Sequence, residues 1–180
     1  NREWVIDAIK YAESKDVLLV HAAGNDHKDI DRSENWPNDS LDKINEVADN
    51  VLTIGAMSVN YNENLLATFT NYGQKNVDIF APGVQIYSTI PNNEYARYSG
   101  TSMASPEVAG VAALVRSYYP QLSASQVKHI IMNSGIKLDL EVLVPGKKDE
   151  KVNFSTLSIS GKVANAYNAL VLADKMVNGK

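Results

Sequence analysis

Hydrophobic and polar positions along this chain follow two periods, and the places where one gives way to the other outline the elements. Trp4, Val5, Ala8, Ile9 and Ala12 recur at helical spacing, with Arg2, Glu3, Asp7, Lys10 and Glu13 between them. That predicts an amphipathic helix over 1–15. Val17-Leu18-Leu19-Val20 is a short continuous apolar run. Directly after a helix it predicts a buried strand of a parallel sheet. Residues 26–50 are polar and acidic and predict a loop with one short helical turn near Ile44 to Val47. Val51 to Met57 is the next buried strand. Residues 58–76 predict loop, with Leu65 to Phe69 as a short edge segment. Val77 to Phe80 is a strand stopped by Ala81-Pro82-Gly83. Val84 to Ile90 reads as extended, and Pro91-Asn92-Asn93 makes a turn. Tyr95 to Tyr98 leads on from it.

The remainder is mostly helical. A helix runs from Thr101 to about Tyr118, and Tyr119-Pro120 ends it. Pro106 lies about one turn in, where its missing N–H costs little. Gly110 in the interior, about 1 kcal/mol worse than Ala, is read as permitting close packing. Ser123 and Gln126 form a capping box for a helix to about Asn133, with Val127, Ile130 and Ile131 inward and Gly135 as the stop. Leu138 to Val142 and Val152 to Phe154 alternate around the charged turn 145–150, which predicts a surface β-hairpin within 136–160. A closing helix spans Val163 to about Val177.

With 180 residues, 44% hydrophobic, the chain is long enough for one soluble domain with a real core. Its net charge of -4 gives no basic footprint for nucleic acid. No apolar run reaches the length that spans a bilayer. The absence of cysteine excludes a disulfide framework. Asn1 stands inside a helical pattern and the first Met is Met57, so the chain reads as part of something longer.

The chemistry concentrates in Tyr98-Ser99-Gly100-Thr101-Ser102-Met103-Ala104-Ser105-Pro106, which feeds an apolar helix. Ser99 or Thr101 can cap that helix. Ser102 then lies where free N–H groups and the helix dipole favour negative charge. A cap alone explains such residues; a nucleophile whose attack creates an oxyanion explains them as well. His21-Ala22-Ala23-Gly24-Asn25 closes a strand with small residues, which fits either an ordinary turn or the crevice at the carboxyl end of a parallel sheet. The acidic residues Asp26, Asp29, Asp31, Glu34, Asp39 and Asp42 raise a calcium site against a solvated loop, and their spacing fails the EF-hand pattern.

Gly100 to Pro106 resembles the nucleophile motif of the subtilisin-like serine proteases, the subtilases. Ala22 to Asn25, Val77 to Gly83 and Gly161 to Ala166 resemble segments of the same family, and the likeness spans almost the whole chain. It implies a three-layer α/β/α fold with a mostly parallel sheet, of which residues 1–180 would be the C-terminal portion of a single catalytic domain whose N-terminal part is missing. It implies Ser102 as nucleophile of an acyl-enzyme mechanism, Asn25 as oxyanion donor, and Ala22, Ala23, Gly24 and Thr101 as substrate-binding. Trp36-Pro37 resembles the aromatic-Pro step beside the substrate pocket. Partners would be a peptide or protein substrate and the missing N-terminal part, or self-association in its absence. The location would be extracellular or the cell envelope. No cofactor is implied here, although calcium occurs in intact family domains. Glu107 departs from the usual His after the motif. The family's Asp-[Ser/Thr]-Gly and His-Gly-Thr segments are absent, and Ala22-Ala23 after His21 does not fit the latter. The chain alone is therefore expected to be inactive. A non-catalytic homologue acting as a binding module is the alternative, and an esterase is disfavoured because the motif is not G-x-S-x-G.

Overall fold

The computed structural model describes residues 2–40 and 42–179. In chain order the elements are α1 (Arg2–Ser14), β1 (Leu19–Ala22), β2 (Val51–Met57), β3 (Ile79–Pro82), β4 (Ile86–Ile90), β5 (Glu94–Tyr98), α2 (Thr101–Tyr118) and α3 (Ala124–Ser134). Then follow β6 (Ile136–Lys137), β7 (Glu141–Leu143), β8 (Lys151–Asn153), β9 (Lys162–Val163) and α4 (Ala166–Asn178). The main sheet has the order β1-β2-β3-β9-β6. Its first four strands are parallel, and β6 pairs antiparallel with β9.

Strand alternation sorts the sheet into two faces. Leu52, Ile54 and Ala56 of β2, with Ile79 and Ala81 of β3, meet Ala104, Val108, Ala112 and Val115 of α2, and α3 and α4 complete that layer. On the opposite face Val51 and Leu19 pack against Ile9 of α1. There Phe80 also meets Phe154, with ring centroids 5.4 Å apart. The result is a three-layer α/β/α fold with a mostly parallel sheet. β1 forms one edge, and among the described residues no strand pairs with its outer side.

Several elements differ from the expectation. β1 starts two residues late because Val17 N–H still donates to Ala12 O of α1, at 3.0 Å. Ile44 to Val47 form no helical turn. The Asp42 carboxylate accepts the N–H groups of Ile44 and Asn45 at 2.9 and 2.8 Å, and this side-chain turn displaces the helical one. Leu65 to Phe69 contribute one bridge, Leu66 to Met57, rather than a strand. Val84 to Ile90 and the lead-in after the turn are two paired strands, β4 and β5. Gly110 permits no close packing: a Cβ there would meet nothing within 4 Å. The 136–160 stretch contains the expected hairpin, β7 paired antiparallel with β8, but it is not confined to the surface. It opens with β6 in the main sheet, and Val142, Phe154 and Leu157 are buried in a core cluster with Phe80. The closing helix begins only at Ala166, where Asn165 Oδ1 accepts Asn168 N–H (2.8 Å). The capping box of α3 forms as expected.

One buried group was invisible to periodicity. Lys128 of α3 is 1% exposed. Its ammonium bonds Glu46 and lies 3.5 Å from Asp49 Oδ1. Burial opposes its charge, but Asp78 and Glu46 hold it protonated. Asp78 is 3% exposed; its Oδ2 accepts Thr53 N–H, and its Oδ1 has no partner. Burial pushes the Asp78 carboxyl up to about 7 despite Lys128. Burial and neighbouring Glu46 push Asp39 up to about 6.

A carboxyl whose pKa is higher folded than unfolded binds its proton more tightly in the native state. Its contribution is complete below the ordinary value of 3.8 and is lost as pH rises through about 7. Asp78→Asn should therefore lose less thermal stability than the parent between pH 4.5 and 8. Parallel melting curves for the two proteins over that range would refute this.

Candidate active site

The carboxyl ends of β1, β2 and β3 open on one rim of the sheet, where α2 begins. Gly100 N–H donates to Gly83 O just past β3 (2.8 Å), which ties the serine motif to that rim. Neither Ser99 nor Thr101 caps α2. Ser99 Oγ accepts Gln85 N–H (2.9 Å) instead. The helix start is served from a distance. Asn25 Oδ1 accepts both Thr101 N–H and Thr101 Oγ1–H, each at 2.9 Å, across 76 residues. Thr101 Oγ1 in turn accepts Gly24 N–H (3.2 Å). Thr101 is wholly buried, and Ser102 beside it is exposed.

These bonds orient the Asn25 carboxamide. With Oδ1 committed to Thr101, the Nδ2 end is turned toward the start of the helix. A Cβ built on Gly100 would lie 3.5 Å from Asn25 Nδ2, 3.6 Å from Ser102 N and 3.8 Å from Met103 Sδ. Asn25 Nδ2 and the Ser102 backbone nitrogen thus both lie beside residue 100, which carries no side chain.

The turn carrying Asn25 is fixed by a residue that sequence reading passed over. Asn71 is fully buried. Its Oδ1 accepts the N–H groups of Asp26 (3.0 Å) and Lys28 (2.9 Å), and its Nδ2 donates to Ala23 O (2.8 Å). Its own N–H donates to Gly24 O at 2.9 Å. Gly24 takes φ +100°, and a Cβ there would come within 2.5 Å of Asn71 Nδ2. Asn35 Oδ1 is 3.5 Å from the same point, so the segment before the cis peptide Trp36-Pro37 also faces this turn. Asn71 stands in a polar loop, where nothing in periodicity marks it.

The sequence model of the Subtilase family (peptidase S8) matches residues 2–166. The chain belongs to the subtilase family. It is 39% identical over 133 residues to subtilisin DY of Bacillus licheniformis, covering 73% of this chain and 44% of that protein. It is 35% identical over 170 residues to subtilisin-like protease 2 of Plasmodium falciparum, covering 91% of this chain and 11% of that one. Among solved structures, the prenylagaramide maturation protease PagA superposes with TM-score 0.69 at 28% identity, covering 94% of this chain and 55% of PagA. The chain thus spans about half the length, or less, of these relatives.

Among the described residues, none of the three histidines of this subtilase chain hydrogen-bonds Ser102. His21 sits on the β1 face toward α1, opposite the face that carries α2, and lines a cavity with Leu19, Pro37 and Asp39. Burial lowers its imidazole pKa. His27 packs beneath Gly146 of the β7–β8 turn. His129 bonds Asp49 Oδ2 at 2.9 Å. Within the 26–50 loop Asp39, Glu46 and Asp49 surround Lys128, and the other acids serve local turns. Asp31 Oδ1 accepts from Lys75 N–H and Asn76 Nδ2, Asp29 Oδ1 accepts Asp31 N–H, and Asp42 holds its own turn. Among the described residues no group of acids and histidines forms a cation set.

Removing the Asn71 amide would leave Ala23 O, Asp26 N–H and Lys28 N–H without it. Each unpaired buried group costs about 1–3 kcal/mol. Asn71→Ala should therefore lower stability by about 3 kcal/mol in urea unfolding. A loss below about 1 kcal/mol would show that this buttress is dispensable.

Proposed function

We propose that this chain is the nucleophile-bearing portion of a subtilisin-type serine endopeptidase domain. Ser102 Oγ attacks the scissile carbonyl carbon while a histidine outside residues 1–180 takes its proton. The oxyanion forms at the open spot beside Gly100 and receives N–H bonds from Asn25 and Ser102. Collapse of the tetrahedral species breaks the C–N bond, and the histidine returns its proton to the leaving amine. Water then hydrolyses the acyl-enzyme. Ala22, Ala23 and Gly24 form one wall of the pocket for the side chain on the acyl side. Thr101 acts as a positioning residue through Asn25. The observation that carries this reading is the hydrogen bonding of Asn25 Oδ1 to Thr101 N–H and Oγ1–H, each at 2.9 Å, which leaves Asn25 Nδ2 free beside Gly100 and Ser102.

The acid–base residues are assigned to a segment that docks along β1. Two features support that placement. The strand's outer edge is unpaired, and a cleft runs on each side of it. One, of about 230 Å³, includes Leu19 and His21 on the α1 side. The other, of about 270 Å³, includes Leu18, Val20 and Ala113 on the α2 side. A strand with apolar residues on both faces would fill both clefts and cover the edge. Relatives include the major intracellular serine protease of Bacillus subtilis, at 35% identity over 145 residues. Membership alone therefore leaves the compartment open, and our assignment to the extracellular space or cell envelope is tested by fractionation of the source cells.

A fluorophosphonate probe should label Ser102 in the full protein and leave the isolated chain unlabelled. Stoichiometric labelling of the isolated chain would overturn its assignment as half a site. Asn25→Asp keeps the acceptor for Thr101 and removes the donor. A donor of this kind is worth about 2.7–4 kcal/mol in subtilisin itself, so labelling of the full protein should slow by at least about 100-fold. Unchanged labelling would remove Asn25 from the mechanism.

The isolated chain should also self-associate through the uncovered edge and clefts. Size-exclusion chromatography at rising concentration reads this directly, and a monomer throughout would contradict it.

A further inference from the structure

β4 and β5 form a two-stranded sheet of their own whose second strand ends two residues before α2. The register sets Tyr87 opposite Arg97 and Thr89 opposite Tyr95, so these four side chains share one face. The rings of Tyr87 and Tyr95 stack, with centroids 5.5 Å apart and planes 21° from parallel. The Arg97 guanidinium lies over Tyr87, 5.2 Å from its centroid. Both tyrosines are 60% exposed, and Tyr98 is 53% exposed. Burial therefore does not explain the ladder.

The base of the ladder is fixed to the site. Arg97 Nη1 donates to Gln85 O (2.9 Å), and Gln85 N–H donates to Ser99 Oγ, adjacent to Gly100. The remaining guanidinium N–H groups face no carboxylate among the described residues. An arginine stacked on a ring loses less freedom on binding than a free one. Its planar fork matches a carboxylate through two hydrogen bonds.

Resting on the protease reading, we propose that this ladder binds the substrate polypeptide on the leaving-group side of the scissile bond and selects an acidic residue there. Arg97 is the specificity-determining residue, and the stacked tyrosines are the platform beside it. Two arguments place the occupant. The acyl side is taken by Ala22–Gly24, which reach Thr101 from another part of the chain, so the hairpin is left for the other side. Arg97 also precedes Ser102 by five residues. At about 3.4 Å per residue it lies within about 17 Å of the nucleophile, a span that an extended substrate covers in about five residues. The acidic residue is therefore one of the first five after the cleaved bond.

The test uses the full protein and two fluorescence-quenched peptides that differ only downstream of the scissile bond, one carrying Asp or Glu within the first five positions and the other Lys there. The ratio of their kcat/KM values is the readout. The parent should favour the acidic peptide by about five-fold, the size of a partly exposed charge pair. Arg97→Gln should bring the ratio near one, and Arg97→Glu should invert it. A parent with no preference overturns the inference, as does a preference that survives in both variants. If the parent cleaves neither peptide and Ser102 resists the fluorophosphonate, the protease reading itself falls and takes the inference with it.

Discussion

The bond pair from Thr101 to Asn25 Oδ1 is the constraint on which the rest of the site hangs. The first N–H of any helix lacks a partner within the helix. In α2 that N–H is satisfied by a carboxamide 76 residues away, at the end of β1. One interaction therefore does two things. It caps the helix that supports the main core, and it turns the other end of the same amide outward beside Ser102. Oδ1 takes both bonds from Thr101, and Gly24 closes the triangle by donating to the Thr101 hydroxyl. Rotating the amide by half a turn would break both bonds and bury the wrong atom.

That triangle needs rigid supports on both sides, and the sheet supplies them. Parallel strands bring the ends of β1 and β3 to the same rim, where Gly83 O receives Gly100 N–H. Asn71 holds the turn after β1 from below, and Thr70 Oγ1 accepts Ala56 N–H from β2 (2.9 Å). Further down, Lys128 draws the 38–49 loop and the approach to β3 toward α3 through Glu46, Asp49 and Asp78. Breaking one partner of such a buried set costs more than forming it gains, because the others keep their charge.

What could be read from the chain was local, and what could not was assembled from a distance. The apolar stripes of α1 and α3, the run Val51 to Met57 and the Ser123–Gln126 box follow from spacing alone, and structure and sequence agree there. The cap of α2 does not. Ser99 and Thr101 have the right chemistry, but a tertiary acceptor outcompetes them. Lys128 lies beside Val127 and has no mark in the periodicity, since its partners are scattered from Asp39 to Asp78. Asn71 sits in a run of loop residues with no period. The Ile44 turn failed because Asp42 offered the backbone a nearer acceptor. In the candidate site, the motif string singled out Ser102 and Asn25 for the proposed roles, while the atoms that orient Asn25 were legible only in three dimensions.

The two halves of the proposed reaction therefore have separate structural origins. Electrostatic stabilisation depends on donors that are already aimed before charge develops, so that no reorganisation is needed at the moment of reaction. Here the aiming uses only groups of this chain: Thr101, Asn71, Gly24 and the bare backbone of Gly100. In that proposal the segment docking at β1 need not shape the oxyanion site; it has only to bring a base within reach of Ser102. Because the donors are held by buried bonds and Ser102 is exposed, docking can complete the site without unfolding any part of it. The turn after β1 and the start of α2 are joined through Asn25, so the edge proposed to receive a docking segment and the donors proposed for the oxyanion share one support.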